Sequence, residues 1–244
     1  MKKFGLIGYP LSHSFSKKYF TQKFKDQHIE SCEYELYPIE SIEMFPSLIS
    51  QIGPDLIGLN CTIPYKQSVI PYLDELSDDA RAIQAVNTIQ FKNGKRFGFN
   101  SDIPGFRSSL EKFIPSDIQH ALVLGSGGAA KAVFYVLKQM GISYTTVTRS
   151  PTAHSILYSD LNHDLLQNSK LIINTTPLGM TPHVDTCPDI DYQALTDRHY
   201  LYDLVYNPEK TLFLQKGESR GAQILNGLSM LYAQAEVSWK IWNE

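Results

Sequence analysis

Short apolar runs alternate along the chain with longer stretches of helical periodicity, the pattern of an α/β protein with mainly parallel sheets. In the first half, residues 4–8 predict a strand, 16–27 a helix, 34–37 a strand, 42–52 a helix and 56–60 a third strand. Pro64, early in the next periodic stretch and preceded by an extended Ile63, predicts a helix from that point. Asn93-Gly94 is the strongest hairpin signal, flanked by strands at 86–92 and 95–100. A two-residue loop sets Lys92 opposite Lys95. Counting outward then sets Asn87 opposite Asn100, with Asp102 on the same face by strand alternation.

The second half restarts the alternation. Strands are predicted at 121–124, 144–149, 171–174, 200–206 and 223–225, with a helix at 129–140 stopped by Gly141 and a closing helix at 228–242. Breaks near Ile103-Pro104 and Asn226-Gly227 suggest two domains. Residues 1–102 with 227–244 form one, completed by the closing helix, and 103–226 form the other.

Composition narrows this picture more than it adds to it. With 244 residues, 43% of them apolar, the chain is too hydrophobic for disorder and long enough for one large domain or two small ones. Lys and Arg number 22 against 25 acidic residues, a formal charge of -3, so no basic surplus exists to neutralise nucleic acid. No apolar run approaches the ~18 residues of a membrane helix. Cys32, Cys61 and Cys187 are odd in number and far apart, which predicts reduced thiols in a cytoplasmic protein.

Three places carry candidate chemistry. Gly125-Ser126-Gly127-Gly128-Ala129-Ala130 follows one predicted strand and opens a helix, the context in which a glycine turn lets a pyrophosphate approach free N–H groups. An ordinary βα turn is the competing reading. The next strand ends Thr148-Arg149-Ser150, with no carboxylate for a ribose 2′-hydroxyl. A guanidinium and a hydroxyl there suit a 2′-phosphate, favouring NADP over NAD unless Arg149 is merely solvated. In the first half, Ser14 and Ser16 project to one side if that segment is extended, and two hydroxyls can hold a small carboxylate. Ser16 could equally cap a helix. Lys66 and Asp102 could supply a proton donor and its charge partner, against the plainer readings of a surface lysine and a helix or turn cap. The seven histidines show no metal-ligand spacing and no G-x-S-x-G elbow occurs, which disfavours metal or serine-nucleophile chemistry.

Taken together, these motifs resemble the shikimate/quinate dehydrogenase family. Gly8-Tyr9-Pro10-Leu11-Ser12-His13-Ser14-Phe15-Ser16 is similar to that family's substrate-carboxylate segment, and Asn60-Cys61-Thr62-Ile63-Pro64-Tyr65-Lys66 to its catalytic-lysine motif. Ala85-Val86-Asn87-Thr88, Gly98-Phe99-Asn100-Ser101-Asp102, the glycine turn, Asn174-Thr175-Thr176-Pro177-Leu178-Gly179-Met180, Asp203-Leu204-Val205-Tyr206-Asn207-Pro208 and Asn226-Gly227-Leu228-Ser229-Met230-Leu231 follow in family order, leading to Gln234. The resemblance implies an N-terminal α/β substrate domain and a Rossmann-type NADP-binding domain with a cleft between them. It also implies NADPH-dependent, reversible reduction of 3-dehydroshikimate to shikimate in aromatic amino-acid biosynthesis, by a monomer or homodimer.

By the same resemblance, Lys66 is the acid/base and Asp102 its partner, while Ser14 and Ser16 hold the carboxylate. Thr62, Asn87, Asp102, Tyr206 and Gln234 read the ring hydroxyls. Gly125, Ser126, Gly127, Gly128, Ala129, Ala130, Arg149, Ser150, Thr175, Leu204, Gly227 and Met230 contact NADP. Gly227, Met230 and Gln234, at i, i+3 and i+7, share one face of the closing helix. The departures are Cys61 for a usual Val, Gln84 for Gly and Ser101 for Thr. Thr148-Arg149-Ser150 stands for Asn-Arg-Thr, with His154 as the only candidate for a further basic group. A quinate or mixed quinate/shikimate dehydrogenase, or a catalytically idle NADP-binding protein, are the alternatives.

Overall fold

The computed structural model describes residues 1–11, 14–150 and 155–244. Ser12 and His13 of the first motif, and His154, lie outside the described residues. The chain divides into two compact units, Met1–Ser101 with Ala235–Glu244, and Asp102–Gln234. The closing helix is therefore shared. Residues 227–234, expected in the first domain, group with the second unit.

In the first unit, β1 (Lys2–Gly8), α1 (Phe15–Asp26), β2 (Cys32–Pro38), α2 (Phe45–Ile52, entered through a 3-10 turn at Ile42–Met44) and β3 (Leu56–Cys61) follow the predicted alternation. Then come β4 (Glu75–Leu76), α3 (Asp78–Ile83), β5 (Thr88–Lys92) and β6 (Lys95–Phe99). The sheet order is β2-β1-β3-β5-β6-β4. Its left half is parallel because β2 and β3 are reached through α1 and α2, and its right half contains a hairpin pairing Lys92 with Lys95 and Thr88 with Phe99. That is the register the Asn93-Gly94 turn dictates, and Asn93 and Gly94 both take the positive φ it requires, 52° and 74°. Two apolar layers cover the sheet. Phe4, Leu6, Phe20, Phe24 and Trp242 pack together in one, and Ile7, Phe45, Leu59, Val69 and Ile89 in the other.

Two expectations fail here. No α-helix starts at Pro64, where the chain makes turns and a single 3-10 turn, Ile70–Tyr72. The Lys66 carbonyl accepts from the Val86 N–H at 2.7 Å rather than from Ile70, whose N–H goes to Gln67 instead, and Pro71 has no N–H to give. Nor does strand alternation reach Asp102. β6 ends at Phe99, and Asp102 is the first residue of a helix, α4 (Asp102–Phe113).

The second unit opens with α4 and continues β7 (His120–Leu124), α5 (Gly128–Gln139), β8 (Ser143–Thr148), β9 (Ser155–Leu157), α6 (His163–Asn168) and β10 (Leu171–Asn174). It ends with β11 (Tyr200–Asp203), α7 (Leu212–Glu218), β12 (Gln223–Leu225) and the start of α8 (Leu228–Asn243). All six strands are parallel, in the order β12-β11-β10-β7-β8-β9. This is the doubly wound Rossmann order, in which the direction of winding reverses between β7 and β10, where such sheets bind ligands beyond their carboxyl ends. β7 and β10 are buried over nearly their whole length, as continuous apolar runs in a two-sided sheet must be. Among the described residues no helix is long and apolar enough to cross a membrane.

Candidate active site

The first unit gathers its polar candidates where β1, β3 and β5 begin or end. Thr62 N–H donates to the Ile7 carbonyl at 3.0 Å and Tyr9 N–H to that of Ile63 at 3.2 Å, fastening the segment after β1 to the one after β3. Cys61 N–H donates to the Asn87 carbonyl at 2.9 Å, and Val86 N–H to that of Lys66. Thr62, Lys66 and Asn87 are thus held on one backbone framework. Lys66 and Thr62 are half-buried, while Asn87 is buried. Burial pushes the Cys61 thiol up to about 12, against the pull of the Lys66 charge, so this thiol is inert at neutral pH.

Ser14 and Ser16 do not lie on an extended segment. Ser14 caps α1, its Oγ accepting from Ser16 N–H at 3.3 Å, and Ser16 is in the first helical turn. Both hydroxyls therefore sit at the positive end of a 12-residue helix, an arrangement suited to an anion. Sequence reasoning missed the network behind them. Tyr34, Asn60, Thr88, Ser101 and Ser238 are all buried and hydrogen-bonded to one another around Asn87. Asn60, Thr88 and Ser101 fall inside motifs already singled out, but nothing in a linear pattern shows that they meet Tyr34 and Ser238, since the five come from β2, β3, β5, the end of the hairpin and α8.

In the second unit, Gly125 follows β7 with φ +104°, a value other residues rarely adopt. Its N–H donates to the Val147 carbonyl at 2.8 Å, and Thr175, after β10, donates its N–H to the Leu124 carbonyl at 2.9 Å. The turn therefore lies across the switch point. Gly127 caps α5 with no side-chain hydrogen bond and the Ala130 N–H turns back to the Gly127 carbonyl at 3.0 Å, so the Gly128 and Ala129 N–H groups are the ones left for an external partner. A Cβ on Gly127 or Gly128 would meet nothing within 4 Å, and Ser126 to Ala129 are exposed, whereas Ala130 turns into the core. The space and the free donors fit the pyrophosphate of a dinucleotide. Arg149 and Ser150 are exposed just beyond β8, the strand paired with β7 on the side away from β10.

Leu204 and Tyr206 lie on the loop after β11. That loop is shaped by Asp203, whose buried carboxylate accepts from Asn174 Nδ2 at 3.0 Å, Val205 N–H at 3.0 Å and Thr211 Oγ1 at 2.5 Å. Burial raises Asp203 to about 6, despite these three donors. Burial likewise raises the Tyr206 phenol, keeping it a neutral donor. Gly227 passes so close to this loop that a Cβ would lie 2.1 Å from the Leu204 carbonyl oxygen. Met230 and Gln234 follow on α8, both half-buried, with Gln234 Nε2 donating to the Leu231 carbonyl. Asp102 is half-buried at the start of α4.

A doubly wound parallel sheet with an uncapped glycine turn at its switch point, joined to a second α/β unit, defines a dinucleotide-binding protein. The chain belongs to the shikimate dehydrogenase family. It is 40% identical to shikimate dehydrogenase (NADP(+)) of Clostridium beijerinckii over 255 residues, covering 100% of this chain and 93% of that protein. The family model for the shikimate dehydrogenase substrate binding domain matches residues 6–89. Among solved structures, a chorismate mutase/shikimate 5-dehydrogenase fusion protein from Clostridium acetobutylicum is 37% identical with a TM-score of 0.88, covering 100% of this chain and 91% of that one. Shikimate 5-dehydrogenase from Thermus thermophilus, solved with NADP(H) and shikimate, is 29% identical with a TM-score of 0.87, covering 99% and 92%.

Proposed function

We propose that this protein is an NADP-dependent shikimate dehydrogenase, reversibly reducing 3-dehydroshikimate to shikimate on the route to chorismate and the aromatic amino acids. The observation that carries the reading is similarity over essentially the whole chain to proteins of that name, 34% to 40% identical among the relatives compared. The open glycine turn supplies its physical counterpart.

In this reading the N-terminal end of α1 receives the substrate carboxylate, with the Ser14 and Ser16 hydroxyls as neutral donors. Thr62, Asn87, Tyr206 and Gln234 meet ring oxygens, and Asp102 accepts from a ring hydroxyl. The glycine turn from Gly125 to Ala130 holds the pyrophosphate. Arg149 and Ser150 take the 2′-phosphate, and Thr175, Leu204, Gly227 and Met230 line the nicotinamide end. NADPH, when bound there, supplies the hydride. Lys66 donates a proton to the C3 oxygen during reduction and accepts it during oxidation, and Asp102 keeps it oriented and charged. The protein is cytoplasmic, with reduced thiols, and works as a monomer or homodimer.

Purified protein given NADP and shikimate should reduce the cofactor, followed by its absorbance, with little reaction on quinate. Lys66→Ala should lower kcat by about a thousandfold, within the range of general acid–base catalysis, while weakening shikimate binding only modestly. Wild-type protein silent on shikimate, or a Lys66→Ala variant with near-normal turnover, removes this assignment.

A further inference from the structure

Asn87 is 4% exposed, and its two amide atoms face unequal surroundings. Its Oδ1 lies 2.7 Å from the Ser101 backbone N–H, 3.1 Å from Ser101 Oγ and 3.1 Å from Thr88 Oγ1. A backbone N–H can only donate, so the atom facing Ser101 must be the oxygen. Asn60 is fixed by the same logic, because its Nδ2 reaches the Asn87 carbonyl at 3.2 Å, and a carbonyl can only accept. Asn60 Nδ2 also reaches Thr88 Oγ1 and Ser238 Oγ, at 3.4 and 2.9 Å, while its Oδ1 accepts from Tyr34. Asn87 is consequently gripped at both its main chain and its side-chain oxygen. Its Nδ2 has no hydrogen-bond partner among the described residues, yet it is not sealed from solvent among the buried unsatisfied atoms. A nearly buried amide with a saturated oxygen and an open nitrogen is a donor kept for a ligand.

We propose that Thr88 and Ser101 are positioning residues that hold the Asn87 amide as a donor toward an oxygen of the substrate ring; this rests on the dehydrogenase reading above. Asn87 then reads an acceptor, a hydroxyl or ketone oxygen, and does not pair with a group that can only donate, such as an ammonium. Its polarity is set by the fold before substrate arrives, so no amide reorientation accompanies binding.

The test uses Thr88→Val, which keeps shape and removes the hydroxyl, and Thr88→Ser, which keeps the hydroxyl. Thr88→Val should raise the KM for shikimate by at least about tenfold, the scale of one lost buried hydrogen bond, with the KM for NADP within about twofold. Thr88→Ser should keep both within about twofold of wild type. A folded Thr88→Val with unchanged shikimate KM, or with both KM values raised together, overturns the positioning role. A neutron structure of the wild-type protein, free of substrate, decides the polarity whether or not the variant folds. Deuterium on the Asn87 atom facing away from Ser101 supports it, and deuterium on the atom facing Ser101 overturns it. Should wild-type protein fail to oxidise shikimate, the dehydrogenase reading falls while the neutron map still settles how Asn87 is held.

Discussion

Single residues in this protein act chiefly through what buries them. Asp203 sits in the core at the end of β11 with three neutral donors bonded to it, and burial lifts its carboxyl from 3.8 to about 6. The folded protein therefore binds this proton more tightly than the unfolded chain does. Its contribution to stability is present below about pH 4 and is lost as pH rises through about 6, amounting to about 3 kcal/mol. Asp203→Asn should remove that pH dependence while keeping Asn174 and Val205 as donors, because Thr211 Oγ1 can accept from the new amide. Denaturant midpoints from pH 4 to pH 7 for both proteins measure the difference, and parallel curves would show that Asp203 does not carry it. Residues of this kind were the least legible in the sequence. Lys66 and Asp102 could be singled out by charge and motif, but Asn60, Thr88, Ser101 and Ser238 matter through partners far away along the chain.

At the scale of elements, local chemistry was readable and exchanged hydrogen bonds were not. The hairpin register followed from Asn93-Gly94 because a type of turn fixes pairing with no outside help. The segment after Pro64 misled because its apolar spacing is helical, whereas Val86 takes the carbonyl that a helix would need. The loop after β11 offers an element-scale test. Gly227 N–H donates to the Val205 carbonyl at 3.1 Å, and a Cβ there would press on the Leu204 carbonyl oxygen, which is backbone and cannot swing aside. Gly227→Ala must displace the loop carrying Leu204 and Tyr206, at a stability cost of about 1–3 kcal/mol. Its KM for NADP should rise by about tenfold or more if this loop lines the nicotinamide. An unchanged KM in a destabilised variant would place the cofactor elsewhere.

For the whole molecule, α8 is the element that the two compact units divide between them. Its first turns pack on α4, where a Cβ on Gly105 would meet Gln234 N at 3.0 Å and the Met230 carbonyl at 3.2 Å. Its last turns bury Trp242 among Phe4, Phe20 and Tyr34. Periodicity shows a buried face but cannot say that two cores share it. Charge is the other whole-molecule property with a consequence. A formal charge of -3 gives no long-range attraction for a phosphorylated cofactor, so any preference for NADP over NAD must come from groups at the 2′-position. Arg149, exposed at the end of β8, is the cation proposed above for that role. Loss of a charge-assisted bond of about 1.5–3 kcal/mol corresponds to a tenfold to hundredfold change. Arg149→Ala should therefore lower kcat/KM for NADP by that factor and leave kcat/KM for NAD within about threefold. Equal losses with both cofactors would mean that Arg149 supports the fold of the strand end, and that the 2′-phosphate is recognised by another group.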